Sequence, residues 1–114
     1  MSGGRLSASV EASGLVRRAE ADGGFAAILH KGDAERGALL IVIRGRGKLV
    51  ACLERTLKPG GDYGWATVGP ESSESEPELA EFLARRVQFD PDLWLIELDI
   101  ADPERFIAET TLAG

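Results

Sequence analysis

The feature that most constrains the fold is a pair of apolar runs joined by a glycine turn. Ala38 to Arg44 is the strongest strand signal, because its centre is rich in β-branched side chains, which strands favour. In the turn after it, Gly45 and Gly47 supply the positive φ angles that a tight hairpin needs. Lys48 to Arg55 is then the return strand. A hairpin at the centre of the chain predicts a core built on an antiparallel sheet.

Further strands and three helices surround this hairpin in the sequence. Phe25 to His30 is short and apolar on both faces, which predicts a buried strand. Tyr63 to Val68 and Leu93 to Ile100 alternate in side-chain type and are typical of two more strands. Successive strands with short connections indicate the α+β class. We therefore expect an antiparallel sheet of four to five strands, with two or three helices packed on one face.

The helices are predicted from apolar stripes and from their end signals. The first stripe, Ala12, Leu15, Val16 and Ala19, ends before Gly23 and Gly24. In the second helix Ser75 and Glu78 match a capping box. Asp102 and Pro103 begin the third helix as N-cap and first helical residue. The buried stripe of the second helix is Leu79, Phe82, Leu83 and Val87.

Length and charge limit the classes of protein to which the chain can belong. With 114 residues we expect a single domain, residues 1–114, and the net charge of -6 makes general nucleic-acid binding unfavourable. Residues 1–70 carry a net +3 and residues 71–114 a net -9. Cys52 is alone, so no disulfide framework is expected and a cytoplasmic location is favoured. The longest apolar run, Ala38 to Ile43, is too short to span a membrane.

The residue types that carry chemistry are sparse. One cysteine and one histidine do not make a structural zinc site. His30 with Asp33 resembles a base and its orienting carboxylate, but no serine or cysteine nucleophile stands close in sequence. Gly45 to Lys48 lacks the earlier glycine and the hydroxyl residue of a phosphate loop. We therefore assign no catalytic residue, metal or cofactor, and we favour a protein that is not an enzyme.

Two stretches carry a resemblance to a known family. Arg85 to Glu97, with its Phe89-Asp90-Pro91-Asp92-Leu93-Trp94 run, resembles the signature of domain of unknown function 1491, a family of small uncharacterised bacterial proteins. Lys31 to Val42 is similar to a second pattern of that family. The family has no established activity, so the resemblance implies no catalytic residue. It highlights seven positions, which we expect to form turns, a helix stop and core: Gly32, Asp33, Gly37, Phe89, Asp90, Asp92 and Trp94.

Three functional hypotheses follow from these patterns. The first is a non-enzymatic interaction protein with an unknown protein partner or a homodimer, paired through a sheet edge or through the region of Trp65. The second is a small-molecule-binding protein or enzyme with a site between Lys31–Gly37 and Phe89–Trp94, where the binding residues are His30, Lys31, Asp33, Asp90 and Asp92. The third is a weak nucleic-acid contact, which the net charge makes unfavourable, through the hairpin tip Arg44–Lys48 with its cations Arg44, Arg46 and Lys48.

Overall fold

A computed structural model describes residues 6–71 and 76–113. The helices and strands occur in the predicted order and with the predicted type. The helices are α1 (Ala8–Ala21), α2 (Glu76–Phe89) and α3 (Pro103–Ala113), and the strands are β1 (Phe25–His30), β2 (Leu39–Gly45), β3 (Lys48–Leu57), β4 (Tyr63–Val68) and β5 (Trp94–Asp99).

The five strands form one mixed sheet in the order β1-β5-β2-β3-β4. Three of the four neighbouring pairs are antiparallel, and β2 with β5 is parallel. The prediction of an antiparallel sheet is therefore correct for most of the sheet and wrong for this pair. The reason is topological: α2 crosses one face between β4 and β5, and such a crossover returns the chain in the direction of β2.

Helices cover both faces of the sheet, so the prediction of helices on one face is wrong. One face packs against α1 and α3 in a cluster that includes Ile41, Leu53 and Ile96. On the other face, which we call the α2 face, Leu79 and its neighbours on α2 cover Leu40 and Cys52. Strands covered on both faces become apolar throughout, which explains the continuous apolar run of β2.

The first strand is an edge strand, and the prediction that it is buried is wrong. Phe25, Ile28 and Leu29 are 68%, 47% and 48% exposed. β1 stands at the end of the strand order next to β5, so within residues 6–71 and 76–113 it has a strand on one side only. The register with β5 shifts between Ile28 and His30, which places a bulge at Leu29.

The helix ends follow the sequence signals where the structure describes them. The backbone N–H of Arg105 donates to Asp102 Oδ1 at 3.2 Å, which confirms Asp102 as the N-cap of α3. Ser75, the predicted cap of α2, lies outside the described residues. Phe89, expected to stop the helix or join the core, ends α2 but is 93% exposed, so its assignment to the core is wrong. No helix within residues 6–71 and 76–113 is long and apolar enough to cross a membrane.

Candidate functional site

The two segments of the predicted ligand site lie side by side. The backbone N–H of Asp33 donates to the carbonyl of Asp92 at 3.0 Å. The indole N–H of Trp94 donates to the carbonyl of Asp33 at 2.7 Å, and the backbone N–H of Trp94 donates to the carbonyl of Ala38 at 2.8 Å. The fold therefore brings residues 31–38 and 90–94 together through main-chain contacts.

Two glycines permit this close approach. A Cβ at Gly32 would lie 2.0 Å from the carbonyl oxygen of Asp92, and one at Gly37 would lie 2.3 Å from the same oxygen. Both distances are far shorter than a carbon–oxygen contact allows. The glycines highlighted in the loop are thus explained by backbone contact, and the segments touch at this point without a space between them.

Several of the predicted binding side chains hold the local backbone. Asp33 Oδ2 accepts from the backbone N–H groups of Glu35 and Arg36 at 3.1 and 2.7 Å. Asp90 Oδ1 accepts from the N–H of Asp92 at 3.1 Å. Such bonds stabilise tight turns, the role that short polar side chains serve most often.

His30 ends β1 against the same loop. Its Nδ1 lies 2.7 Å from the carbonyl oxygen of Leu93. A carbonyl only accepts, so Nδ1 carries a proton and donates it to this oxygen. Lys31 and the Asp92 side chain are exposed beside it. The five predicted binding residues therefore share one end of the sheet, and their binding of a ligand stays a prediction.

Carboxylates from distant parts of the sequence surround the hairpin tip. Arg44 Nε donates to Glu97 at 2.7 Å and Arg44 Nη1 to Glu76 at 2.6 Å. The hydrogen bond to Glu76 raises the pKa of Arg44 above its usual value and, in return, lowers the pKa of Glu76. Arg46 is exposed at φ 54°. The charge of Arg44 is thus neutralised within the chain, and an interface role for Arg44 and Arg46 stays a prediction.

Trp65 lies half-buried on β4 against the core. The guanidinium of Arg55 lies 5.4 Å from the centre of its ring and also donates to Glu11 Oε1 at 2.8 Å. This stack joins β4 to α1 through β3. The geometry gives Trp65 a packing role, and its predicted place in an interface stays untested.

The surface that sequence reasoning missed is the outer edge of β1. Its alternate backbone N–H and C=O groups point away from β5, and no strand of the described part of the chain lies beyond them. None of the residues from Phe25 to Leu29 is charged. Charged residues, which usually protect such an edge, are missing from this strand. The sequence signal for this surface is the apolar run itself, which also fits a buried strand.

Comparison with known proteins decides the family. The family described as protein of unknown function (DUF1491) matches residues 6–108. The chain belongs to the DUF1491 family. A search of curated proteins gives no match.

Three solved structures, two of them of DUF1491 family proteins, share this fold. An NMR structure of a DUF1491 family protein from Caulobacter crescentus CB15 is 31% identical, with a TM-score of 0.76 over 89% of this chain and 91% of that chain. A crystal structure of a DUF1491 family protein from the same organism is 30% identical, with a TM-score of 0.75 over 83% and 88%. The solution structure of protein Atu0922 from A. tumefaciens is 28% identical, with a TM-score of 0.69 over 84% and 86%.

Proposed function

We propose that this protein is a non-enzymatic interaction protein that pairs with a second copy through the free edge of β1. The observation that carries the proposal is an uncharged edge strand with Phe25, Ile28 and Leu29 about half or more exposed. Unpaired backbone groups along such an edge form hydrogen bonds with an added strand, and apolar side chains lose their contact with water there. The local backbone roles of Asp33 and Asp90 favour interaction over catalysis.

Charges at the ends of β1 favour a second copy as the occupant. Two-fold symmetry pairs β1 with itself in the antiparallel direction. Lys31, one residue beyond the strand, then lies beside the region of Asp22 and Gly23 in the other copy. Opposite charges meet at both ends, while the uncharged centre brings no like charges together.

The bulge at Leu29 limits how far two copies pair. Regular pairing with β5 covers Phe25 to Ile28 before the register shifts. A four-residue contact is shorter than a typical strand and small for a stable interface. We therefore expect a weak dimer whose population depends on protein concentration.

Sedimentation velocity over a concentration series tests this proposal. Ile28→Lys adds a charge on the exposed side of β1, whereas Thr67→Lys adds the same charge on β4, the opposite edge strand. We expect the wild type and Thr67→Lys to sediment faster as concentration rises, and Ile28→Lys to remain a monomer. Circular dichroism and thermal unfolding check that both variants are folded. A wild type that is monomeric throughout the series, or a dimer that Ile28→Lys leaves intact, contradicts the proposal.

A second candidate function is a ligand site at the contact of residues 31–38 with 90–94. It is supported by the convergence of His30, Lys31 and Asp92 at one end of the sheet. A thermal-shift panel of nucleotides, common metabolites, divalent metals and short oligonucleotides tests it. A ligand at 100 times its dissociation constant adds about 2.7 kcal/mol of stability. A shift lost in Lys31→Ala or Asp92→Ala supports this candidate, and a flat panel counts against it.

We also propose that the whole chain is one domain and works in the cytoplasm of a bacterium. A single buried thiol without a disulfide supports a reducing compartment. The family model matches residues 6–108, which supports one unit across nearly the whole chain.

A further inference from the structure

The α2 helix covers only part of its face of the sheet. Near its C-terminus, Arg86 Nη2 donates to Glu54 on β3 at 2.6 Å. In its middle the Phe82 ring lies over Gly69, directly after β4. These two contacts place one flank of α2 over β3 and β4.

The opposite flank of α2 carries small, exposed side chains. Ala80 and Ala84 lie one turn apart, and helical geometry turns them about 160° away from Phe82 and Arg86 respectively. Since Phe82 and Arg86 face β3 and β4, this flank faces β5 and β1. The small side chains leave the space beside the helix open.

The sheet beneath that space is apolar and acidic. Phe25 pairs with Asp99 and Ala27 with Glu97, so the four side chains stand next to one another on the α2 face. With Ala26 they line a shallow hollow of about 40 Å³. Phe25 is 68% exposed and Ala27 is exposed as well. We call this surface, together with the flank of α2 that carries Ala80 and Ala84, the α2–β1 groove.

The charge along the groove is negative. Glu97, Asp99 and Glu76 contribute three carboxylates, and Arg44 is the cation that pairs with Glu97 and Glu76 among them. Asp99 Oδ2 accepts only from the N–H of Gly47 among the bonds described, at 2.9 Å, so its charge is not paired with a cation. Arg46 and Lys48 belong to the hairpin tip, which lies beyond the pair formed by Phe25 and Asp99. A partner complementary to this floor carries lysine or arginine.

The other face of the sheet shows what fits on these two strands. There α1 packs against both β1 and β5. On the α2 face, Leu93 and Leu95 share a core cluster with α2, whereas Glu97 and Asp99 further along β5 are only half-buried and Phe25 and Ala27 on β1 are exposed. A helix is about 10 Å across, and a sheet covered on both faces is a common arrangement in which apolar surface is buried.

We propose that the α2–β1 groove docks a cationic amphipathic helix of a partner protein. The apolar face of that helix packs on Phe25, Ala27 and the alanines of α2. Its lysine or arginine side chains pair with Asp99 and Glu97. This proposal does not rest on the β1 dimer, because docking uses the face of the sheet and the dimer uses the backbone edge.

The test measures binding of a defined probe to the full chain. The probe is a fluorescein-labelled leucine–lysine amphipathic helix of about 14 residues, or roughly four turns, followed by fluorescence anisotropy. A leucine–glutamate peptide of the same length and pattern is its matched partner. We expect the lysine peptide to bind at least about tenfold more tightly than the glutamate peptide, with weaker binding at high salt.

Three variants locate the site. Ala84→Arg places a bulky cation beside the groove, where it obstructs and repels the cationic peptide. Phe25→Ser removes an apolar side chain from the floor of the groove. Phe89→Ser removes an exposed phenylalanine on the other flank of α2 and is the matched control. We expect the first two to weaken binding of the lysine peptide about tenfold or more and the control to leave it unchanged.

Other outcomes overturn the proposal. They are no detectable binding of the lysine peptide, equal binding of both peptides, or binding that is lost with Phe89→Ser but not with Ala84→Arg. Thermal unfolding checks that each variant is folded, and Phe25→Ser keeps the test valid if Ala84→Arg does not fold. Sedimentation of Ala84→Arg separates this site from the β1 edge, since a groove variant leaves self-association unchanged.

Discussion

Gly32 and Gly37 stand where two stretches of backbone touch. The carbonyl of Asp92 occupies the place that a Cβ at either glycine would take. At the same contact, Asp33 donates its N–H to that carbonyl at 3.0 Å. The loop after β1 is thereby fixed against the start of β5, and this contact positions His30 and Lys31.

The first prediction concerns this contact. Gly32→Ala forces the backbone of Asp92 to move, and we expect it to lower the free energy of unfolding by about 2–4 kcal/mol. Gly60→Ala is the matched control, because a Cβ there meets nothing within 4 Å. Urea denaturation of both variants measures the difference. Equal stability of the two variants would show that the loop adapts without cost.

The second prediction compares two ion pairs of different burial. Glu11, whose side chain is 8% exposed, contacts Arg55 at 2.8 Å, and Glu109, 53% exposed, contacts Arg105 at 3.0 Å. Glu11→Ala leaves a mostly buried guanidinium without its carboxylate, so we expect a loss of about 2–4 kcal/mol. Glu109→Ala removes an exposed partner and is expected to cost less than about 1 kcal/mol. Chemical denaturation at neutral pH distinguishes the two, and a larger loss for Glu109→Ala contradicts the account.

Residue roles were predictable where partners are close in sequence. Asp33, Asp90 and Asp102 hold backbone groups two or three residues away, and spacing alone indicates such turns and caps. The partners of Arg44 are 32 and 53 residues away, at Glu76 and Glu97. No local pattern reports such a contact, so the hairpin tip was expected to be more cationic than it is.

Among the elements, β1 shows why an apolar run does not reveal burial. Its composition is close to that of the central strand β2, yet Leu39–Ile43 on β2 is buried and β1 is largely exposed. The difference comes from strand order, because β2 lies at the centre of the sheet between β5 and β3, whereas β1 lies at one end beside β5. Element type depends on local sequence, whereas burial depends on strand order, and strand order is set by the α2 crossover.

The third prediction concerns how α2 is held at its N-terminus. The hydrogen bond from Arg44 lowers the pKa of Glu76, so this carboxylate binds a proton less readily in the folded chain than in the unfolded one. Its contribution is complete above the unfolded pKa and is lost as pH falls through the folded pKa. Glu76→Gln therefore lowers the free energy of unfolding at neutral pH by about 1 kcal/mol or less. When the free energy of unfolding is plotted against pH, its fall at acidic pH (the acid limb) becomes less steep in this variant. Glu78→Gln is the control, because Glu78 lies two residues along the same helix and Arg44 bonds to Glu76. An unchanged acid limb in Glu76→Gln contradicts the role of this pair.

The fourth prediction uses Cys52 as a reporter of α2. The thiol is fully buried beneath the helix, and burial raises the pKa of Cys52 to about 11. We expect very slow labelling by a thiol-disulfide reagent at pH 8, since little thiolate is present and access is closed. Leu79→Ala removes the buried anchor of α2 and costs about 2–4 kcal/mol, so labelling is expected to become several-fold faster. Rapid labelling of the wild type would show that α2 opens readily.

At the scale of the whole molecule, the sheet ends in two uncharged edges. β1 runs from Phe25 to His30 and β4 from Tyr63 to Val68. Pairing of β1 with β1 closes after two copies, whereas pairing of β1 with β4 leaves free edges and continues without limit. The opposite charges at Asp22 and Lys31 favour the closed arrangement. We therefore expect a discrete dimer that forms through β1 alone.

Hydrogen–deuterium exchange at two protein concentrations tests this expectation most directly. Pairing protects the outward amides of β1, so residues 25–30 are expected to exchange more slowly at high concentration. Residues 63–68, on the other edge, are the internal reference and are expected to exchange at the same rate at both concentrations. Exchange of residues 25–30 that does not depend on concentration, or equal slowing at both edges, would contradict a dimer formed through β1.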